Sequence, residues 1–360
     1  MSRTNVLVIN PGSTSTKVAI FTQNENVIQF NLNHSTEDLD KFDHITDQYE
    51  YRMNMIVEWM LTEGYSLDSL VAVVGRGGLL KPMPSGTYKV TQRMIGDLKI
   101  GIQGEHASNL GGIIARSIAD KAGVEAYIVD PVAVDEFEPV ARISGIPEIK
   151  RKSLVHALNI KAIAHNVAHE KGVKIEDLNL IVAHLGGGIS VVPMRKGKIV
   201  DANNANEMGP FSPERAGGLP VGDVAKLCFS GKYTEKELKT KMRGKGGLVA
   251  YLGTNDAREV LKLIEAGDDH ARLIFEAMGY QIAKEIGASA TVLAGKVDAV
   301  VLTGGVAYSK YLTNYISEHV SFIAPVIVMP GEDEMKALNE GYLRVANGEE
   351  DVKIYENEVK

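Results

Sequence analysis

Two turns between apolar segments carry the residues best suited to bind phosphate. Turns of glycine, serine and threonine expose backbone N–H groups and hydroxyls, which suit phosphate oxygens. A third strand candidate follows each turn, at 27–32 and at 198–202, so the same plan occurs in each half of the chain. The candidates are Asn10, Ser13, Ser15 and Lys17 in the first turn and His184, Gly186, Gly187 and Gly188 in the second. Two related domains that bind one phosphate chain are predicted, which is typical of a phosphotransferase.

Further candidates lie where buried strands are predicted to end. Arg76 follows the apolar run 70–74 inside a glycine-rich stretch, where an arginine can bind a carboxylate or a phosphoryl group through two hydrogen bonds. Asp130 ends the run 126–129, and ligands of open α/β sheets bind at the carboxyl ends of strands. The structural alternatives are a surface ion pair for Arg76 and a turn cap for Asp130.

Histidines, glycines and acidic residues form a third group of candidates. A histidine beside a phosphate-binding turn, such as His156 or His184, can stabilise charge on a transferred phosphoryl group, although a lone histidine is more often structural. The acidic run 332–334 suits a metal ion or the positive end of the following helix. Candidates for the nucleoside end of a nucleotide are Asp256, Arg258, Gly304, Gly305 and Val306.

Length and charge exclude several classes of protein. At 360 residues two domains are expected, 1–152 and 153–332, with 333–360 returning to the first.

The formal net charge of -7 without a basic stripe argues against nucleic-acid binding. No apolar run approaches the roughly 20 residues that span a bilayer, and no signal peptide is recognised, so we expect a cytoplasmic protein without a membrane partner. The single cysteine, Cys228, excludes an internal disulfide and is expected to be a packing residue.

Strands alternate with helices in both halves, which predicts an α/β fold with partly parallel sheets. The charged tail 349–360 is expected to be loosely held. Helices are predicted at 47–64, 113–122, 153–171, 307–319 and 333–348.

The motifs resemble those of the acetokinase family, which includes acetate, propionate and butyrate kinases. Val-Leu-Val-Ile-Asn-Pro-Gly-Ser-Thr-Ser-Thr-Lys at 6–17 resembles the opening motif of that family. The stretch at 184–190 resembles its second phosphate loop, and Thr-Gly-Gly-Val at 303–306 resembles its adenosine motif. The resemblance covers nearly the whole chain. It implies the duplicated ribonuclease H-like fold of actin, sugar kinases and Hsp70, with an ATP cleft between two domains.

The implied reaction is the reversible, Mg²⁺-dependent, in-line transfer of a phosphoryl group from ATP to a short-chain carboxylate, which gives ADP and an acyl phosphate. The resemblance implies catalytic roles for Arg76, Asp130, His156 and Arg215. The two arginines lie at other positions in the sequence than the arginines of acetate kinases. It implies nucleotide binding by the residues of the two turns together with 256, 258 and 304–306. It also implies a metal bound by Asn10 with Asp333 or Glu334, and a homodimer or higher homo-oligomer.

The residues of the substrate pocket differ between members of this family and determine which acid fits. Val155 and Ala107 stand where acetate kinases carry phenylalanine and leucine. Smaller side chains enlarge the pocket, and discrimination is worth about 1–3 kcal/mol per methylene. A four-carbon acid, butyrate, is therefore favoured over acetate. The alternatives are a branched-chain fatty-acid kinase, a propionate or acetate kinase, and a non-metabolic ATPase of the same fold.

Overall fold

The computed structural model describes residues 3–359, which form two compact units. The first unit comprises the described residues up to Asp135, Ala157–Ala162 and the described residues from Asp333 onward. The second unit comprises Glu136–His156 and Ile163–Glu332.

This division differs from the predicted boundary after residue 152, because the preceding stretch is bonded within the second unit. The N–H group of Glu138 donates to the carbonyl of Val200 at 3.1 Å. The N–H group of Ile199 donates to Glu136 Oε2 at 2.8 Å.

Strands and helices both occur in each unit. The strands are β1 (Asn5–Pro11), β2 (Ser15–Thr22), β3 (Glu25–Asn33), β4 (Leu70–Arg76), β5 (Thr87–Lys89), β6 (Glu125–Val129), β7 (Asn179–Leu185), β8 (Ile189–Arg195), β9 (Lys198–Ile199), β10 (Ala299–Gly304), β11 (Val326–Pro330) and β12 (Lys353–Ile354). The helices are α1 (Thr36–Leu39), α2 (Tyr49–Thr62), α3 (Gln92–Ile100), α4 (Asn109–Ala122), α5 (Ala157–Lys171), α6 (Val221–Cys228), α7 (Glu235–Met242), α8 (Gly247–Leu252), α9 (Ala257–Glu265), α10 (Asp269–Val292), α11 (Lys310–Val320), α12 (Glu334–Ala346) and α13 (Tyr355–Glu358). Within residues 3–359, no helix has the length and apolar content that a bilayer crossing requires.

The two sheets share one strand order. The first unit has the order β12-β5-β6-β4-β1-β2-β3, and the second has β11-β10-β7-β8-β9. In each unit the hairpin and its third strand are antiparallel, and the next two strands run parallel to the first hairpin strand. The segment β3-β2-β1-β4-β6 therefore corresponds to β9-β8-β7-β10-β11. The predicted α/β class and the repetition of the hairpin are confirmed.

The central strands of the first unit are apolar on both faces because helices cover both faces. Leu7 and Ile9 of β1 belong to a core that also contains Ile114 of α4. Val6 and Val8, which point to the other face, belong to a second core with residues of α12. Such continuous apolar runs are typical of sheets buried on both sides.

Helix α12 is held in place by its cap and by its apolar face. The carboxylate of Asp333 accepts a hydrogen bond from the N–H group of Lys336 at 3.0 Å, which satisfies one of the free donors of the first turn. Met335, Leu338 and Tyr342 pack in the core shared with β1 and β4. Together these contacts fix the position of Glu334, the first residue of the helix.

Several local predictions were wrong in extent or in kind. Helix α4 begins at Asn109 rather than at 113, α5 at Ala157 rather than at 153, and α11 at Lys310 rather than at 307, and β9 ends at Ile199 rather than at 202. Cys228 is exposed, because it ends a helix that has no buried residue. The tail is not loosely held, since β12 pairs with β5 and Tyr355 is fully buried.

The hydroxyl of Tyr355 ties the tail to the first unit, so Tyr355→Phe should destabilise the protein. The hydroxyl donates to Asp97 Oδ2 at 2.8 Å and accepts from the N–H group of Lys81 at 3.2 Å. Because the change leaves two buried groups without this partner, we expect the free energy of unfolding to fall by about 1–3 kcal/mol in urea titrations. Tyr280→Phe, at a half-exposed tyrosine, is the matched control. Equal stability of the two variants would contradict a structural role for the tail.

Candidate active site

The first predicted phosphate turn joins β1 and β2. Asn10 is almost fully buried near the end of β1, and Lys17 lies directly opposite it on β2. Directly opposite residues of an antiparallel pair point to the same face of the sheet. Ser13 is exposed in the turn, and Ser15 is half-buried at the start of β2. The turn therefore presents hydroxyls to solvent beside the side chains of Asn10 and Lys17.

Arg76, Asn10 and Glu334 meet at the carboxyl ends of β1 and β4. The Arg76 guanidinium forms an ion pair with Glu334 Oε1 and donates to Asn10 Oδ1 at 3.4 Å. The amide of Asn10 donates to Glu334 Oε2 at 2.6 Å. The side chains of Arg76 and Glu334 are 24% and 25% exposed, so a ligand can reach them.

The same cluster is the candidate metal site. Mg²⁺ is usually held by one or two carboxylates together with waters and substrate phosphates. Glu334 supplies a carboxylate and Asn10 an amide oxygen, so the donor set fits Mg²⁺ in kind. Asp333 is exposed and its carboxylate caps α12, which leaves Glu334 as the acid that faces Asn10. No cluster of three or more His, Cys, Asp or Glu side chains suited to a metal occurs within residues 3–359.

Asp130 follows the last residue of β6, which pairs with Arg76 on β4. Its φ of 38° is unusual for a residue other than glycine, so tertiary contacts must hold it. The carboxylate is buried and accepts from the N–H group of Gly86 at 2.8 Å. Burial raises the pKa of Asp130 to about 6, against the opposing positive charges of Lys161 and Arg344.

In the second unit, His156 and His184 stack on each other. Their ring centroids are 4.2 Å apart with an interplanar angle of 27°. His156 Nδ1 is hydrogen-bonded to Ser190 Oγ at 2.9 Å, and His184 Nε2 lies 3.5 Å from Glu332 Oε2. Burial, and then the charge of His156, keeps the pKa of His184 well below its usual value. His184 is therefore neutral at physiological pH.

The glycine turn that follows His184 packs against Arg215. A side chain at Gly188 would collide with the Arg215 guanidinium, so a larger residue there would force Arg215 to move. Arg215 Nη1 donates to the carbonyl of Ala205 at 2.9 Å. Burial lowers the pKa of Arg215 from its usual value. The arginine that the sequence offered only as the nearest substitute thus lies beside the second phosphate turn.

An open pocket of about 680 Å³ brings together six of the nine predicted nucleotide-binding residues of the second unit. Gly304 lies next to this pocket in a left-handed conformation (φ 89°), and a side chain there would collide with the backbone of Leu185. Sequence reasoning missed Glu214 and Asn255, which also line the pocket. The predicted residues that line it are Gly186, Gly187, Asp256, Arg258, Gly305 and Val306.

The two candidate substrate-pocket residues are both buried. Ala107 precedes α4 in the first unit, and Val155 precedes α5 in the second. Neither lines the nucleotide pocket.

Comparison with known proteins identifies the fold and the family. The Acetokinase family matches residues 148–324. Two solved structures share the fold at 19% identity: acetate kinase of Porphyromonas gingivalis (TM-score 0.79, covering 95% of this chain and all of that one) and a propionate kinase of Francisella tularensis (TM-score 0.75, covering 95% and 99%).

Curated relatives are much closer in sequence. Butyrate kinase 2 of Clostridium acetobutylicum is 56% identical over 97% of this chain and 99% of its own length. A probable butyrate kinase 2 of Caldanaerobacter subterraneus subsp. tengcongensis is 57% identical over 97% and 99%. The chain belongs to the acetokinase family.

Proposed function

We propose that the protein transfers the γ-phosphoryl group of ATP to butyrate, reversibly, to give butyryl phosphate and ADP. A carboxylate oxygen of the acid forms a bond to the γ-phosphorus, and the bond between that phosphorus and the β,γ-bridging oxygen breaks. ADP leaves with the bonding electrons, so no proton transfer and no covalent enzyme intermediate are needed. The observation that carries the proposal is the partly exposed Arg76 guanidinium beside Asn10 and Glu334. The names of the two curated relatives support butyrate as the acid.

Arg76 binds the acid carboxylate or the equatorial oxygens of the moving phosphoryl group. Its planar guanidinium matches both groups bidentately. Asn10 and Glu334 already orient the guanidinium through its Nη1 atom, so it is preorganised for the anion. Asp130 orients the reacting groups at the neighbouring strand end.

Asn10 and Glu334 would hold Mg²⁺ in the first unit. When bound, the ion neutralises negative charge on the phosphate oxygens and so favours attack by an anionic carboxylate. Glu334 keeps its carboxylate directed at this position because Asn10 Nδ2 donates to its Oε2 atom.

The pocket of the second unit binds the nucleotide. The small residues at 186–188 and 304–306 allow a phosphate chain to approach the backbone, and Asp256 with Arg258 lies on the nucleoside side. His156 is held by Ser190 and by its stack on His184, and it stabilises charge on the phosphoryl group together with Arg215.

The protein acts in the cytoplasm as a homodimer or larger homo-oligomer in this proposal.

The proposed reaction predicts ATP-dependent acyl hydroxamate formation with a preference for four-carbon acids. In the presence of hydroxylamine, acyl phosphate is converted to a hydroxamate that can be measured for acids of two to five carbons, including isobutyrate and isovalerate. We expect kcat/KM for butyrate to exceed that for acetate by about tenfold or more, because each additional methylene contributes about 1–3 kcal/mol in a fitting pocket. Acetate turnover without butyrate turnover would contradict the substrate assignment.

Val155→Phe is the companion variant for this measurement. The ratio of butyrate to acetate kcat/KM should fall, since phenylalanine fills the proposed alkyl pocket. The ratio is internally controlled, because partial misfolding would lower both activities alike. ATP hydrolysis that no short acid stimulates would favour an ATPase instead.

The buried Asp130 predicts an acid limit of activity near pH 6. Burial raises the pKa of Asp130 to about 6, so its carboxyl gains a proton as the pH falls through that value. We expect kcat/KM to decline below about pH 6 because the ionised carboxylate is lost. Lys161→Met should move this limb to higher pH, since the ammonium charge of Lys161 lowers the pKa of Asp130. Profiles between pH 4.5 and pH 9 measure both effects.

Lys121→Met, at an exposed lysine of the first unit, is the control. In this variant kcat/KM should fall at the same acidic pH as in the unmodified protein. If kcat/KM of folded Lys161→Met falls at the same low pH as in the unmodified protein, Asp130 is not the group that causes the fall.

A further inference from the structure

The carbonyl groups of the first phosphate turn all point into the first unit. The carbonyl of Gly12 accepts from Arg52 Nη1 at 2.7 Å, that of Ser13 from Arg52 Nη2 at 2.9 Å, and that of Ser15 from Arg52 Nη1 at 3.2 Å. The carbonyl of Thr14 accepts from the N–H group of His34 at 2.8 Å. Three of these four consecutive carbonyls are thus bonded by the single guanidinium of Arg52.

Because the peptide bonds are trans, the N–H groups on the same peptide units point the opposite way. The units whose carbonyls bind Arg52 include those that carry the N–H groups of Ser13 and Thr14. Both residues are exposed, and these two N–H groups have no hydrogen-bond partner within residues 3–359. The hydroxyls of Ser13, Thr14 and Ser15 likewise have no hydrogen-bond partner among residues 3–359. The outer side of the turn therefore offers two free N–H donors, with hydroxyl groups beside them that can also donate.

Arg52 itself is fully buried and lies behind this turn. Its guanidinium is oriented by Gln48 Oε1, which accepts from Nη2 at 2.8 Å and from Nε at 3.2 Å. None of the described carboxylates forms an ion pair with Arg52. Burial lowers its pKa to about 10, so it stays charged at neutral pH.

A neutral histidine completes the arrangement. His34 Nε2 is hydrogen-bonded to Thr16 Oγ1 at 2.8 Å, and the same oxygen accepts from Arg52 Nη1 at 3.2 Å. Burial, and then the charge of Arg52, lowers the pKa of His34 to about 4. Because His34 is neutral, Arg52 is the charged group among Arg52, His34 and Thr16 behind the turn. A buried cation without a carboxylate is costly, and an anion bound on the outer side of the turn would offset that cost.

We propose that Arg52 is a positioning residue for phosphate binding: it holds the carbonyls of Gly12, Ser13 and Ser15 inward so that the N–H groups of Ser13 and Thr14 and the neighbouring hydroxyls face a phosphate group. Its charge adds attraction through the turn. Assignment of this phosphate to ATP rests on the proposed kinase function.

Calorimetric titration of the full chain with inorganic tripolyphosphate and, separately, with adenosine tests the proposal. The variants are Arg52→Met, which removes charge and geometry, and Arg52→Lys, which keeps the charge but cannot bond to three carbonyls. We expect the Kd for tripolyphosphate to rise at least about tenfold in Arg52→Met, the scale of lost charge-assisted interactions. Arg52→Lys should lie between this variant and the unmodified protein, and the Kd for adenosine should not change. The KM for ATP should rise in parallel, with the KM for butyrate unchanged.

Arg116→Met is the matched control, because Arg116 also belongs to the first unit and donates to a carbonyl, that of Val90 at 3.3 Å. It should leave the Kd for tripolyphosphate unchanged. If Arg52→Met does not fold, the folded Arg52→Lys variant decides the matter alone. An unchanged tripolyphosphate Kd in folded Arg52 variants, or no tripolyphosphate binding by the unmodified protein, would overturn the proposal. If the Kd for tripolyphosphate changes as expected but the protein phosphorylates no short acid, the kinase function is refuted and the proposed role of Arg52 is supported.

Discussion

Glu334 accepts hydrogen bonds from two side chains that lie 258 and 324 residues away in the sequence. These are Arg76, at the end of β4, and Asn10, near the end of β1. The carboxylate thereby fixes the start of α12 against two strand ends of the first unit. Because about a quarter of the Arg76 and Glu334 side chains remains exposed, water and small anions can compete for the guanidinium. An ion pair of this kind is preorganised and yet accessible, which is what a site for a carboxylate and a phosphoryl group requires.

Each unit also places an arginine next to its hairpin turn, but the two arginines act on the turns differently. Arg52 bonds the turn carbonyls of the first unit directly. Arg215 lies against Gly188 and donates to the carbonyl of Ala205 instead. In both cases a half-buried or buried positive charge lies close to a turn of small residues. Phosphate binding through backbone N–H groups gains from such a charge, since the turn itself is uncharged.

Much of the fold could be predicted because it follows from local patterns. Apolar runs separated by small residues predicted both hairpins, and their repetition predicted two related domains. The choice between Asp333 and Glu334 could not be made, because it depends on where α12 begins: Asp333 becomes the cap, and Glu334 faces Asn10. The ordered tail was missed because a two-residue strand and one buried tyrosine anchor it, and neither stands out in a charged stretch.

Arg52 was missed for a different reason. The apolar residues 51, 55, 59 and 60 recur at helical spacing and predict the buried face of α2, whereas the buried residues include Arg52, Ile56, Trp59 and Met60. Positions 52, 56, 59 and 60 share one helix face, so a pattern was present. Hydropathy assigns arginine to the surface, and its burial is explained by the carbonyls of a distant turn to which it donates.

The kinetics of Arg76→Met test the proposed phosphoryl transfer most directly. Arg272→Met, which removes a surface arginine of α10, is the control. We expect kcat/KM for butyrate to fall by about 10²–10³ in Arg76→Met, with urea unfolding showing a folded protein, because a preorganised cation at the reacting anion is lost. A folded Arg76→Met variant that turns over butyrate at nearly the unmodified rate would contradict the proposed site.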